Sequence, residues 1–180
     1  MPWPERIETA RLILRAPIDT DAAAIFRPYT QDTDVTRYLM WRPHEVLADA
    51  HEYIARCQSR WRSSAEFTWM LTGRVDGEVL GAIALRPDGH KAAIGYVLTR
   101  AYWGQALMPE AARALLDHAR GIAELHRVWA VCDVDNLGSA RVMEKIGMAR
   151  EGLLRRWVVH PNIGTTLRDA LCYSWIRPSP

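Results

Sequence analysis

Residues 92–147 contain I-G-Y-V-L at 94–98, T-R-A-Y-W-G-Q-A at 99–106 and P-E-A-A-R at 109–113. The apolar run R-V-W-A-V-C-D-V follows at 127–134, then N-L-G-S-A-R-V-M-E-K-I-G at 136–147. The pattern predicts strand, small-residue loop, helix, strand and capped helix. Gly104 has no side chain and Ala106 only a methyl, so a ligand can approach the backbone there. Pro109 suits a first helical turn and Glu110 follows it. Met108, Ala112, Leu115, Ala119 and Ile122 form an apolar stripe, while Glu110, Arg113, Asp117 and Arg120 fall elsewhere. A helix opening on such a loop presents unpaired N–H groups at its positive end, which suits a pyrophosphate. A tight strand-to-helix turn without a ligand is the alternative.

Asn136 stands where a helix N-cap belongs, Val142, Met143 and Ile146 give that helix its stripe, and Gly147 ends it. Asn136 and Ser139 are three apart, so both can face one side of the first turn. The run 127–134 is predicted to be a central strand, apolar on both faces.

Working outward, 11–15 alternates and predicts a strand, and Asp19-Thr20-Asp21 can cap a helix reaching about Tyr29. A short helix is expected over 34–39. Pro43 disfavours helix at Arg42, so a turn precedes a long amphipathic helix over 45–62, with Val46, Leu47, Ala50, Tyr53, Ile54, Cys57 and Trp61 on one face. Strands over 66–72 and 78–85 flank Asp76-Gly77, a hairpin signal, and Asp88-Gly89 leads into a third strand over 92–98. Two last strands, 150–159 and 169–176, flank a turn at 160–164. The expected architecture is α/β (α+β): one mixed, mostly antiparallel sheet with helices on both faces.

The 180 residues suggest a single domain spanning 1–180. With 49% apolar and 24% charged residues, the composition is that of an ordinary globular protein. A net charge of +2 argues against nucleic acid as a partner, and no apolar run approaches the about 20 residues that span a bilayer. The N-terminus shows no signal-peptide core. Cys57, Cys132 and Cys172 are far apart among apolar neighbours, and no Cys/His cluster has zinc spacing. Buried free thiols in a reducing cytoplasm fit this pattern, with a reactive cysteine as the alternative. No metal is expected.

These pieces together resemble the acetyl-CoA-binding core of the GNAT N-acetyltransferases, and within them the RimJ/RimL-like branch of ribosomal-protein N-terminal acetyltransferases. The pieces that carry the resemblance are I-G-Y-V-L, Y-W-G-Q-A at 102–106, E-A-A-R at 110–113, N-L-G-S-A-R-V-M-E-K-I-G-M at 136–148, E-G-L-L-R at 151–155 and the opening E-T-A-R-L-I-L-R at 8–15. Order and spacing both agree. Ala101 departs from the family's Arg or Gln at the start of the loop pattern, with Arg100 beside it. That departure touches one side-chain contact and leaves the main-chain cradle intact.

The resemblance implies a sheet that splays near its middle and acetyl-CoA as cosubstrate. It implies cofactor contacts from Tyr96, Val97, Leu98, Arg100, Trp103, Gly104, Gln105, Ala106, Leu107, Asn136 and Ser139. Ser139 would be catalytic, hydrogen-bonding or protonating the departing thiolate; an ordinary cap with Ser139 in the first turn is the alternative. Arg141 and Lys145 are either a solvated face or phosphate contacts. Trp41, His44 and Trp157 are candidates for the acceptor, against readings of Trp41 as a core anchor and His44 as a surface cap. Trp69, Trp129 and Trp175 are expected in the core. The reaction would be direct attack of an amine, from a protein N-terminus or a small molecule, on the thioester. Its base is one of Glu66, Glu78, Glu110, Glu151, His44 or His160. A CoA-binding module without turnover is the rival reading, and oligomeric state, a homodimer included, stays open.

Overall fold

The computed structural model describes residues 3–178. One eight-stranded sheet runs in the order β1-β2-β3-β4-β5-β6-β8-β7. Its strands are β1 (Arg6–Glu8), β2 (Leu12–Arg15), β3 (Phe67–Gly73), β4 (Val79–Asp88), β5 (Lys91–Leu98), β6 (Arg127–Asp133), β7 (Ala149–Val158) and β8 (Arg168–Ile176). Every neighbouring pair is antiparallel except β5 with β6.

That exception positions the site. β5 and β6 pair only where Lys91, Ala92 and Ala93 face Arg127, Val128 and Trp129. Beyond Ala93, β5 holds to β4 as far as Leu98, and β6 holds to β8 as far as Asp133. The two halves of the sheet diverge there, and the facing edges of 94–98 and 130–133 are left without a strand partner.

Helices cover both faces. On one, α4 (Leu107–Arg120) and α5 (Leu137–Lys145) bury Leu107, Met108, Ala111, Ala112, Leu115, Leu116 and Met143 against Leu12, Leu14, Trp69, Ile83, Ile94 and Val128. On the other, α1 (Asp21–Ile25), a π-helical turn (Phe26–Thr30), α2 (Thr33–Thr36) and α3 (Leu47–Arg62) pack Ile25, Tyr29, Ala50 and Ile54 against Met70, Val79 and Ala82.

Several expectations are corrected. The helix after Asp19 widens into a π turn at Phe26 because Pro28 has no N–H for the α ladder. Asp21 does not cap it: its carboxylate accepts from Arg15 and from the Ile18 N–H. The long helix begins at Leu47, two residues late, because Asp49 accepts the N–H groups of Glu45 and Val46; Val46 and Leu47 are exposed. In β6 only Val128, Ala130 and Cys132 pack under the helices, while Trp129 and Val131 face the opposite side, so the strand is not buried on both faces. Of the tryptophans expected in the core, Trp69 is fully buried. Trp175 is partly exposed, with the guanidiniums of Arg120 and Arg177 over its ring.

Candidate active site

A 3-10 turn (Arg100–Tyr102) and residues 103–106 carry the chain from β5 into α4. Gly104 takes φ +78°, open to any residue only at strain, and Ala106 takes φ +59° at the N-cap. The left-handed twist turns successive amides outward. Among the described residues no acceptor meets the N–H groups of 104–108, and Pro109, third in the helix, has none to offer. This is a row of free donors at a helix's positive end, an arrangement that favours an anion.

The side chains expected to help divide. Trp103, Gly104, Ala106 and Leu107 line the cleft, and Trp103 Nε1 donates to Leu98 O at 2.8 Å, tying the loop to the end of β5. Arg100 turns away, to Asp32 at 3.2 Å and Asp34 at 2.7 Å. The Gln105 amide donates to Ala101 O at 3.1 Å, and the Gln105 carbonyl accepts from Arg11. Neither Arg100 nor Gln105 lines the cleft, so what these two positions can offer is main chain. Arg141 and Lys145 do line it, on the α5 side.

Between the diverging strands lies a cleft of about 1100 Å³, lined by residues from both faces of the sheet. Tyr96, Val97, Leu98, Asn136 and Ser139 all border it. Asn136 caps α5, its Oδ1 accepting from Ser139 N at 3.1 Å, which leaves its amide N–H₂ free to face the cleft. The Tyr96 hydroxyl reaches across from β5. It lies 2.8 Å from Ser139 Oγ and donates to Ser139 O at 3.0 Å. Burial raises the Tyr96 phenol well above its ordinary value, so the group stays protonated.

On the opposite face the cleft is lined from α2 and α3. Trp41 lines it, backed by His44 at 5.1 Å and Tyr53 at 6.2 Å between ring centres. His44 itself sits behind Trp41, away from the cleft. Trp157 is about half exposed and also away from it, whereas Val158 and His160 border it. The reason is local. β7 slips by two residues against β8 between Leu154 and Val158, and Arg156 has φ +49°, so simple alternation no longer tells which side chains face inward.

The candidate bases separate as clearly. Glu78 accepts from Tyr102, Glu110 from Thr9 and Arg11, and Glu151 from Arg127 and Ser174; none borders the cleft. Glu66 and His160 do. Glu66 is buried under the guanidiniums of Arg60 and Arg86. His160 is buried with its Nε2 3.3 Å from Asp133 Oδ2, yet among the described residues neither ring nitrogen has an aligned hydrogen-bond partner. Burial pulls its imidazole below the ordinary value, against the attraction of Asp133, and so favours the neutral form.

Sequence reasoning missed Arg60, Arg86 and Trp129 as cleft residues, and Asp133 as the partner of His160. A signal existed for the floor. Ala82, Ala84 and Arg86 alternate along β4 opposite Val97, Gly95 and Ala93 of β5; Ala82 joins the core, while the small Ala84 and Gly95 beside the charged Arg86 mark the part that does not. Among the described residues no three His, Cys, Asp or Glu side chains gather to hold a metal ion, and no helix is long and apolar enough to cross a membrane.

A splayed sheet, a row of free donors at the α4 N-terminus and a Tyr-Ser contact between them come together in this one cleft. The family model for the acetyltransferase (GNAT) domain matches residues 11–149. An uncharacterized N-acetyltransferase, YoaA, from Bacillus subtilis (strain 168) is 30% identical over 175 residues, covering 96% of this chain and 97% of its own. The [ribosomal protein uS5]-alanine N-acetyltransferase of Escherichia coli (strain K12) is 23% identical over 86% of this chain and 83% of its own. Among solved structures, a GNAT-family acetyltransferase from Bacillus anthracis superposes with TM-score 0.83 at 27% identity, covering 95% and 98% of the two chains. RimL, a ribosomal L7/L12 α-N-protein acetyltransferase in complex with coenzyme A, has the same fold at TM-score 0.85 and 19% identity over 96% and 98%. The chain belongs to the GNAT acetyltransferases, in their RimJ/RimL-like branch, and is an N-acetyltransferase of the acetyl-CoA-dependent kind.

Proposed function

We propose that residues 1–180 act as one cytoplasmic acetyltransferase domain that moves the acetyl group of acetyl-CoA directly onto a primary amine, with both substrates bound at once. The acceptor is a peptide N-terminus or a small molecule. The observation that carries this reading is the Tyr96–Ser139 contact in the opening between β5 and β6, where the two halves of the cleft meet.

The main-chain donors of 104–108 hold the pyrophosphate, and the free edge of 94–98 receives the pantetheine arm as an added strand would be received. The Asn136 amide faces the same arm. The amine arrives from the α2–α3 side. Its nitrogen forms a bond to the carbonyl carbon as the carbon–sulfur bond breaks, and the electron pair leaves on sulfur. Ser139 Oγ, supported by Tyr96, supplies a proton to that sulfur, His160 takes the proton that the amine must lose, and solvent carries a proton from His160 back to Ser139, so that both groups end as they began. The Glu66 carboxylate is already engaged by Arg60 and Arg86.

Release of CoA thiol on mixing acetyl-CoA with amines tests the reading. Initial rates at varied concentrations of both substrates should give intersecting double-reciprocal lines. Parallel lines would show a covalent acetyl-enzyme, and no thiol release with peptides, amino acids, polyamines or aminoglycosides would remove the catalytic reading.

A further inference from the structure

Two guanidiniums stand on the floor of the acceptor half of the cleft. On its floor, Arg86 of β4 lies across β5 at Gly95: a Cβ built on Gly95 would stand 3.6 Å from Arg86 Nη1. Arg86 is thus held beside the strand residue that precedes Tyr96. Arg86 Nε contacts Glu66, and Arg60 Nη1 of α3 lies 3.4 Å from both Glu66 oxygens. Thr68 Oγ1 donates to the same carboxylate at 3.3 Å.

Two guanidiniums therefore share one buried carboxylate. Each carries five N–H donors in a planar fork. Among the described residues, the Nη1 and Nη2 groups of Arg86 and the Nε and Nη2 groups of Arg60 have no acceptor, and both side chains stay about half exposed to the cleft. Asp133 and Asp135 also border this space; Arg168 donates to both, and Asp133 accepts the Asp135 N–H as well. Guanidiniums with free donors on the floor of the cleft suit a ligand that carries an anionic group.

We propose that the acceptor is an amine that also bears an anionic group, carboxylate or phosphate, a few bonds from the reacting nitrogen, and that Arg86 with Arg60 binds that group. This rests on the acetyl-transfer reading. Glu66 is a positioning residue here: it orders the two guanidiniums and leaves their outer donors free. Two sources share the chemistry, a small acidic amine and a peptide whose second residue is acidic.

The test uses matched acceptors with acetyl-CoA and the full chain, all with the α-carboxyl group blocked as an amide: glutamic acid α-amide against glutaminamide, phosphoserine amide against serinamide, and Ser-Glu-Ala-Ala amide against Ser-Gln-Ala-Ala amide. The acidic member of at least one pair should show kcat/KM about 10- to 100-fold higher, the size expected of charge-assisted hydrogen bonds at a part-exposed site. The pair that responds identifies the source. In Arg86→Gln the acidic-to-neutral ratio should fall towards one, Arg86→Lys should keep part of it, and Arg60→Gln should halve it or more. Calorimetric binding of CoA to each variant verifies that the fold survives. Equal rates within every pair, a preference for the neutral member, or a ratio unchanged in a folded Arg86→Gln would each overturn the proposal. Wild type that binds CoA but acetylates no amine overturns the acetyl-transfer reading instead, and the acceptor assignment with it.

Discussion

The Tyr96 hydroxyl owns one proton and faces two oxygens of the same residue, the Ser139 carbonyl at 3.0 Å and Ser139 Oγ at 2.8 Å. The carbonyl can only accept. If it takes the phenol proton, the serine hydroxyl is left free to point its own proton at the tyrosine oxygen or at a sulfur in the opening. Tyr96 therefore orients the serine, and the two act as one unit. Ser139→Ala should lower kcat by about 100-fold, the lower range for a lost general acid, with CoA affinity within about threefold. Tyr96→Phe should lower it by less, and the double variant should be no slower than Ser139→Ala by more than about threefold, because units of this kind are non-additive. Full additivity in that cycle would show that the two residues act independently. His160 offers a second check. The groups facing it are Asp133 of β6, Arg168 of β8 and the edge of the Tyr38 ring. With its imidazole held below the ordinary value near 6.5, the acid limb of the kcat profile should lie below pH 6.5, and His160→Gln should abolish that limb.

At the scale of an element, α4 shows how a helix start can be both strained and useful. Ala106 stands in the left-handed region at the N-cap, where a Cβ costs about 1 kcal/mol against glycine. Ala106→Gly should therefore stabilise the fold by up to about 1 kcal/mol, whereas Ala106→Val should lose CoA affinity, since a branched side chain resists that backbone and crowds the donors. One turn on, Glu110 accepts from Thr9 Oγ1 at 2.6 Å, Arg11 N at 2.8 Å and Arg11 Nε at 2.7 Å, pinning α4 to the start of β2. Glu110→Ala should destabilise by about 1–3 kcal/mol in chemical denaturation, with kcat nearly unchanged. A large fall in kcat in a folded variant would return Glu110 to the list of bases. The sequence showed the stripe of α4, the turns at Asp76-Gly77 and Asp88-Gly89 and the cap of α5, because each depends on neighbours within a few residues. It could not show that Glu110 answers β2, about a hundred residues away in sequence, nor that the slip in β7 turns Trp157 off the cleft and brings Val158 and His160 onto it.

For the whole molecule, the splay between β5 and β6 is a relation between strands some thirty residues apart in sequence, and periodicity is silent about it. Resemblance anticipated it; the pairing that stops after Ala93 and Trp129 gives it a cause. The same long-range contacts set how stability should follow pH. Glu151, held by Arg127, lies at about 2, and hydrogen bonds from Arg168, Thr9 and Arg11, and the Val46 and Glu45 amides hold Asp133, Glu110 and Asp49 below their ordinary values against burial. A carboxylate lowered on folding contributes stability that is present above its unfolded value, near 4, and is lost as pH falls. Burial lowers His160 and His44 too, so their contribution is present above about 6.5 and fades as pH falls below it. Groups raised on folding act in the opposite sense. The Cys132 thiol, pushed by burial to about 11, favours the folded state below its unfolded value of 9.0 and loses that contribution as pH rises. Cys57 and Cys172 shift the same way, again chiefly through burial. The melting temperature should therefore be highest and nearly flat between about pH 6.5 and 8.5, decline gently below 6.5, and fall steeply below about 4.5. In a Cys132→Ala variant the alkaline decline should begin later, and in His160→Gln the gentle shoulder below 6.5 should shrink. A melting temperature that rose on acidification from 7 to 5 would contradict the sign of both histidine shifts, and with it the neutral imidazole on which proton removal from the amine depends.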